Sequence, residues 1–251
     1  MGKEAHCLKP ADGAICTYLE WDSTFFELRI ASLNRSRLDD AILKETLNWC
    51  RANHIDCLYF LADSDDARTC RIADRNGFFQ ADVRMTFERS LSLNDLIPPT
   101  GGNIRLAREQ DFGALRTIAR EGHRDTRFYF DEHFERAKCD LLYETWIENS
   151  FRGYAQAVLV AEVEGKAVGY ITCHLDGEQS QIGIVGVAAG HQGAGLGTKL
   201  VQHFLAWSIR EGARRATVVT QGRNLAAQRL YQRNGFVTAS FQLWYHRWST
   251  G

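Results

Sequence analysis

Proline is nearly missing from this chain, with three residues in 251, at positions 10, 98 and 99. Lysine is scarce too: of 30 basic residues only 6 are Lys and 24 are Arg. The formal net charge is −1, so the chain lacks the basic excess that bulk nucleic-acid binding needs to displace counterions, and no nucleic-acid partner is expected. Arginine suits bidentate anion recognition, although compositional bias explains the excess equally well. The seven cysteines (7, 16, 50, 57, 70, 139 and 173) include no C-x-x-C pair. Cys173 and His174 are neighbours in a strand and point to opposite faces, a poor chelate. They read as reduced core thiols of an intracellular protein. His123, His133, His191 and His203 show no metal-ligand spacing, and no metal site is expected. Long apolar runs are missing as well. The longest, 182–190, falls far short of the roughly 18 residues of a membrane helix, and the opening MGKEAHCLKP has no apolar leader core. The expectation is a soluble, cytoplasmic protein with no membrane partner.

What is present is globular: 45% hydrophobic and 24% charged residues. Pro98-Pro99-Thr100-Gly101-Gly102 is the strongest break in the sequence. It predicts a domain over 1–98 and a second over 103–251. The two halves share a motif. Arg71 to Phe78 (RIADRNGF) resembles Arg229 to Phe236 (RLYQRNGF) at an offset of 158 residues, and the match runs without a gap to Arg89 and Arg247. Each copy reads as a helix, a glycine cap at Gly77 or Gly235, and a strand, because glycine takes the left-handed cap conformation without a Cβ penalty. This points to a duplicated supersecondary unit.

In the second half, hydrophobic periodicity predicts strands at 104–107, 157–163, 167–174, 181–187, 216–220 and 237–245. It predicts helices at 110–121, 132–149, 196–210 and 225–234. The first half reads as a shortened version, with strands near 26–32, 56–61 and 78–88 and helices near 38–53 and 66–76. Strands interleaved with helices give the α/β class.

The informative segment is QIGIVGVAAGHQGAGLGT, residues 181–198. A buried strand enters a glycine-rich loop that opens a helix. Exposed amides at a helix N-terminus, with the helix dipole, bind phosphate. No Gly-Lys-Ser/Thr follows, so this is not a Walker loop, and the glycine spacing is wrong for a dinucleotide fingerprint. Val187 followed by Gln192-x-x-Gly195-x-Gly197 resembles the acetyl-CoA pyrophosphate loop of the GNAT acetyltransferase superfamily. Asn224-x6-Tyr231 further along is similar to the family pattern, and the resemblance covers about residues 103–247. Thr126-Arg127-Phe128, the run 142–153, Thr220-Gln221-x-x-Asn224 and Leu243-Trp244-Tyr245 resemble the acetyltransferases of dTDP-4-amino-4,6-dideoxygalactose (dTDP-fucosamine).

The resemblance implies an α/β GNAT fold, a mixed central sheet flanked by helices, preceded by a smaller degenerate GNAT-like domain. It implies acetyl-CoA as co-substrate and a homodimer as partner. Amides of Gln192, Gly193, Ala194, Gly195, Leu196, Gly197 and Thr198 would hold the pyrophosphate. Val185, Gly186 and Val187, on a splayed strand, would pair with the pantetheine arm and polarise the thioester carbonyl. Asn224 and Ala227 would cap a helix or touch the cofactor arm. Tyr231 would be the general acid for the leaving thiolate. Its counterpart in the first copy is Ala73, and that copy has no such loop, so the first half is expected to be scaffold and substrate wall. Arg127 and Arg152 are candidates to read a substrate phosphate, and Phe128 and Tyr129 to stack on a base or sugar. By placement, Glu162, Asp125, Glu144 and His174 are candidate general bases. The leading reading is transfer of acetyl to the amine of a nucleotide-linked deoxyamino sugar by direct attack in a ternary complex. The alternatives are a protein N-terminus, polyamine or antibiotic as acceptor, or a CoA-binding sensor without turnover.

Overall fold

The structure is a computed structural model and describes residues 13–95 and 103–249. Cys7, Pro10 and the break at 98–102 lie outside the described residues. In chain order the elements are β1 (Cys16–Tyr18), α1 (Glu20–Phe26), β2 (Ile30–Leu33), α2 (Asp40–Ala52), β3 (Cys57–Asp63), α3 (Ala67–Arg75) and β4 (Phe78–Ser90). There follow β5 (Asn103–Leu106), α4 (Phe112–Gly122), α5 (Arg127–Phe130), α6 (Arg136–Asn149), β6 (Ala157–Val163), β7 (Lys166–Asp176) and β8 (Gln179–Val187). The last are α7 (Leu196–Arg210), β9 (Arg215–Gln221), α8 (Leu225–Arg233) and β10 (Val237–Trp248). No helix among the described residues is long and apolar enough to cross a membrane.

The chain forms two compact units. One comprises 13–84, 126–138 and 241–249; the other comprises 85–125 and 139–240. Three elements run from one unit into the other: β4, α6 and β10.

In the first unit the sheet order is β1-β2-β3-β10, with β2 parallel to β3 and the other pairs antiparallel. Helix α2 turns Leu43 and Cys50 inward, one heptad apart on one helical face, onto Leu58, Phe60 and Tyr245. In the second unit the order is β9-β8-β7-β6-β5, and only the β8–β9 pair is parallel. Alternation along β7 sends Ile171 and Cys173 to one face, where Leu200 and Phe204 of α7 pack. It sends Tyr170, Thr172 and His174 to the other face, where Ile118 of α4 lies beside Gly186 and the Tyr170 ring.

The duplication is visible bond by bond. Asn76 donates to Ala73 O at 3.0 Å, and Asn234 to Tyr231 O at 3.0 Å. Asn76 Nδ2 reaches Ile72 O at 2.7 Å and Asn234 Nδ2 reaches Leu230 O at 2.8 Å. Gly77 and Gly235 both sit at φ +78°. Arg247 Nε donates to Asn76 O at 3.0 Å, and Arg89 donates to Asn234 O at 2.7 Å. The arginine of each copy therefore closes the cap of the other, as expected when the strand after each cap leaves its own unit.

Candidate active site

The parallel ladder of β8 and β9 stops at Ile182↔Val218, although β8 continues to Val187 and β9 to Gln221. Beyond that point the edge of β8 that faced β9 is open. On its other side β8 stays paired to β7, through a bulge opposite Thr172. Ala188 donates to Val168 O at 2.8 Å, which fixes the alternation of the antiparallel ladder. Tyr170↔Gly186 is then the hydrogen-bonded pair, and Val185 and Val187 aim their N–H and C=O groups at the open edge. Of the three expected strand residues, Gly186 therefore has its backbone committed to β7. The Val187 carbonyl also accepts from Gln192 Nε2 at 3.1 Å, so the Gln192 side chain fastens the loop to the strand end.

The loop that follows is held by backbone conformation. Gly193 and Gly195 adopt φ +80° and +77°, a region costing an L-residue roughly 1–2 kcal/mol. Gly195 is the N-cap of α7 and offers no side chain to cap it. The first bond into the helix is Lys199 N to Gly195 O, 3.1 Å. Among the described residues none accepts the amide protons of Gly193, Ala194, Gly195, Leu196, Gly197 or Thr198. Six amides thus converge at the positive end of a 15-residue helix, on the exposed residues 193–195 and their successors. This is an anion cradle. Gly197 also admits α8: a Cβ there would stand 3.4 Å from Leu230 Cδ2.

Helix α8 carries Tyr231. Its ring is buried at 3% exposure against Phe87 and Phe236, with centroids 6.0 Å from each. It belongs to the same cluster as Val185, Val187, Leu196 and Leu200. Its hydroxyl has no hydrogen-bond partner and is not shut away from solvent. Burial pushes the phenol pKa above its ordinary value, so the group is a neutral donor throughout the working range. Asn224 caps α8 by accepting from Ala227 N at 3.0 Å, which commits those two atoms to each other. Asn224 is thus a helix cap, a role compatible with contact to a cofactor arm.

Of the four expected substrate residues, Tyr129 joins Arg127 and Phe128 in the first unit and Arg152 belongs to the second. Arg127 and Phe128 are buried at 8% and 4% exposure. The Arg127 guanidinium is stacked among Tyr59, Phe128 and Trp244, 4.0 to 4.5 Å from each ring centroid. It donates to His246 Nε2 at 2.7 Å, while His246 Nδ1 donates to Asp131 Oδ2 at 2.6 Å. These residues form an interior. Arg127–Phe130 is a short helical turn, α5. Tyr129 is half-buried with Arg136 over its ring at 5.5 Å. Arg152 is exposed and paired with Glu148 at 2.7 Å.

Two of the candidate bases are neutralised. Glu144 is buried and bonded to both Arg120 and Arg116, and these, Arg120 first, hold its pKa below the usual value against the effect of burial. Glu162 takes Asn103 and Arg105, each at 2.6 Å. Asp125 is exposed. His174 remains, on the face of β7 that looks over the open stretch of β8. The sequence reading missed its neighbours there, Thr172 and Gly183; a glycine inside a strand was the available sign of a bulge.

The fold is the mixed α/β sheet flanked by helices of solved GNAT structures. Residues 117–236, a little under half of the chain, match the acetyltransferase (GNAT) family. The chain is 25% identical over 162 residues to the spore coat polysaccharide biosynthesis protein SpsD of Bacillus subtilis (strain 168), covering 64% of this chain and 53% of that protein. It thus spans about half the length of that curated relative. Among solved structures, a GCN5-related N-acetyltransferase from Sphaerobacter thermophilus matches with TM-score 0.61 at 17% identity, over 87% of this chain and 73% of that one. A tandem GNAT protein from the clavulanic acid biosynthesis pathway matches with TM-score 0.58 at 15% identity, over 88% and 76%. These likenesses establish the fold.

Proposed function

We infer that this chain transfers acetyl from acetyl-CoA to the amine of a nucleotide-linked deoxyamino sugar, a dTDP-4-amino-4,6-dideoxyhexose. The observation that carries the transfer is the pairing of an opened strand edge with six unclaimed amides at a helix N-terminus. The residues fit the co-substrate. The amides from Gly193 to Thr198 suit a pyrophosphate, and the free groups of Val185 and Val187 suit the amide-bearing pantetheine arm. Acetyl-CoA supplies a thioester, whose carbonyl is open to an amine. The N–H of Val185 is placed to donate where negative charge develops on that oxygen. Such a donor lowers the barrier by roughly 3–4 kcal/mol. Tyr231 donates to the departing sulfur.

The sugar assignment is supported by the segments that resemble dTDP-fucosamine acetyltransferases and by the polysaccharide-pathway role in the name of SpsD. The first unit supports a scaffold role, because it lacks the glycine loop and has Ala73 where Tyr231 would stand. The test is thiol release from acetyl-CoA against dTDP-4-amino sugars, UDP-amino sugars, polyamines, aminoglycosides and peptide N-termini. Release with the dTDP-4-amino sugars alone is the expected result. Turnover confined to peptides, polyamines or aminoglycosides would discard the sugar and keep the transferase.

A further inference from the structure

Gly183 and Gly186 give β8 two bare positions on the α4 face, between Ile182 and Val187. The α7 face of the same stretch is filled by core, with Val185 and Val187 packed against the cluster of Leu196, Leu200 and Phe204. An amine that attacks a thioester carbonyl at the open edge of β8 therefore comes over the bare face. Tyr170 borders that path. A Cβ on Gly186 would fall 3.0 Å from its ring and 3.1 Å from Ile118 Cγ2. The Tyr170 side chain is fully buried, and its hydroxyl meets His123 Nε2 at 2.9 Å. His123 follows the end of α4. Its ring lies flat on Tyr143, with centroids 4.4 Å and planes 12° apart, and Trp146 braces Tyr143 edge to face at 4.8 Å. All of these residues belong to the second unit.

The buried hydroxyl decides which imidazole nitrogen holds the proton. Burial lowers the His123 pKa to about 4, so the ring carries a single N–H at neutral pH. Burial pushes the Tyr170 phenol up, so it keeps its own proton. If Nε2 held the ring proton it would donate to the phenol oxygen, and the hydroxyl hydrogen would be enclosed with no other acceptor among the described residues. A buried donor left unpaired is penalised by its full desolvation. With Tyr170 donating to Nε2 both buried groups are met, and the ring proton sits on Nδ1. His123 is half-buried; its Nδ1 has no partner among the described residues and is not shut away from solvent. We propose that the Nδ1–H of His123 reads the acceptor, donating to the C3 hydroxyl vicinal to the reacting amine of the 4-amino sugar. The proposal rests on the sugar reading above. His123 stands one phenol ring from Gly186, which confines its reach to groups beside the reacting nitrogen. On a 4-amino-4,6-dideoxyhexose the C3 hydroxyl is such a group, while C5 carries an apolar methyl.

The first test is the nitrogen NMR spectrum of labelled histidine in the protein without acceptor, with His123 assigned by its loss in His123→Asn. A protonated Nδ1 is expected; a protonated Nε2 overturns the proposal. The second test is the acceptor KM of wild type, His123→Asn and His123→Gln, with dTDP-4-amino-4,6-dideoxygalactose and with its 3-deoxy analogue. Asn returns an amide N–H near the place of Nδ1 and leaves the Tyr170 hydroxyl stranded. Gln meets that hydroxyl near the place of Nε2 and brings no donor to the place of Nδ1. The expected result is a KM about tenfold higher in His123→Gln and within about threefold of wild type in His123→Asn, with the acetyl-CoA Kd unchanged in both. On the 3-deoxy analogue the three enzymes should agree. A merely structural role predicts the reverse order, because only Asn strands Tyr170; that order, or an equal rise on both acceptors, overturns the proposal. If the wild type ignores both sugars, the sugar reading fails by itself and the NMR result decides His123: a protonated Nδ1 keeps the donor for an oxygen beside another amine.

Discussion

Replacing Tyr231 by Phe removes one oxygen that bonds to nothing else among the described residues. The ring contacts with Phe87 and Phe236 survive, and no partner is left with an unmet hydrogen bond. The stability change should therefore stay within about 0.5 kcal/mol, the range of substitutions that leave no packing or polar defect. Binding of acetyl-CoA should be equally untouched, since the cradle amides belong to another helix. The catalytic effect is of another size. A donor aimed at charge that exists only in the transition state accounts for roughly 3–4 kcal/mol, or a fall in kcat of about 100- to 1,000-fold. Burial has raised the phenol pKa, and each unit of mismatch with a thiol adds about 1.4 kcal/mol to full proton transfer. Tyr231 thus stabilises sulfur chiefly as a hydrogen-bond donor, and no basic limb from its ionisation should appear below pH 10. The assay is steady-state thiol release with the Kd measured alongside by calorimetry. A variant within threefold of wild type in kcat would remove Tyr231 from the reaction and return weight to the non-catalytic CoA-binding alternative.

Gly195→Glu places a carboxylate in the anion cradle and forces a side chain into φ +77°; acetyl-CoA affinity measured by calorimetry should fall by at least about 100-fold, from like-charge repulsion added to roughly 1–2 kcal/mol of backbone strain, while circular dichroism stays native. Glu144→Ala leaves Arg116 and Arg120 without their shared carboxylate; because both arginines are half exposed, the loss should be about 1–3 kcal/mol in urea unfolding, below the full cost of breaking a buried pair, with kcat per folded enzyme unchanged. His246 is held neutral, its pKa lowered to about 4 by burial and by Arg127, against 6.5 in the unfolded chain. The unfolded state binds the extra proton between those values, so stability is complete above pH 6.5 and declines toward pH 4 at up to about 1.4 kcal/mol per pH unit. Urea titrations of wild type and His246→Gln should converge as the pH falls; parallel curves would contradict the buried neutral assignment.

Periodicity located the elements of the second half because each has one buried face and a turn at its end. The helix predicted at 196–210 is α7 as observed, and the glycine loop kept its place because its φ values demand glycine. The first half was harder to read for a physical reason. Glu20–Phe26 is a short helix of seven residues, with Asp22 and Ser23 buried beside Phe26, so its polar and apolar residues share the inward side. The site was legible where backbone carries the chemistry, at Gly193 to Thr198, and at Tyr231. It was illegible at Arg127, whose charge is enclosed by the neighbouring Phe128 ring and by the Tyr59 and Trp244 rings of distant segments. It was illegible also at His174, whose surroundings depend on a bulge and on the missing side chain of Gly183. Neither leaves a periodic trace.

The two copies show what separates a scaffold from a site built on the same strand, helix and strand. In the first, Ile30 pairs with Cys57 and the parallel ladder ends at Ser32↔Tyr59; in the second, Gln179 pairs with Arg215 and the equivalent rung is Gln181↔Thr217. The later strands and helices are offset by 158 residues, but the strands that begin these ladders are offset by 149. The second copy therefore holds nine extra residues between its two ladder strands, two in the longer helix and seven before its N-cap. The latter extend β8 past its last partner and form the glycine loop, so one insertion supplies both the open edge and the anion cradle. The first copy turns directly into α2, and there Asp39 accepts from Ile42 N at 2.8 Å. A carboxylate from its own chain seals that helix N-terminus, where the equivalent end of α7 has only Gly195. An added anion would meet Asp39 in the first copy and free amides in the second. The same helix dipole thus stabilises the fold in one half and is left to bind phosphate in the other.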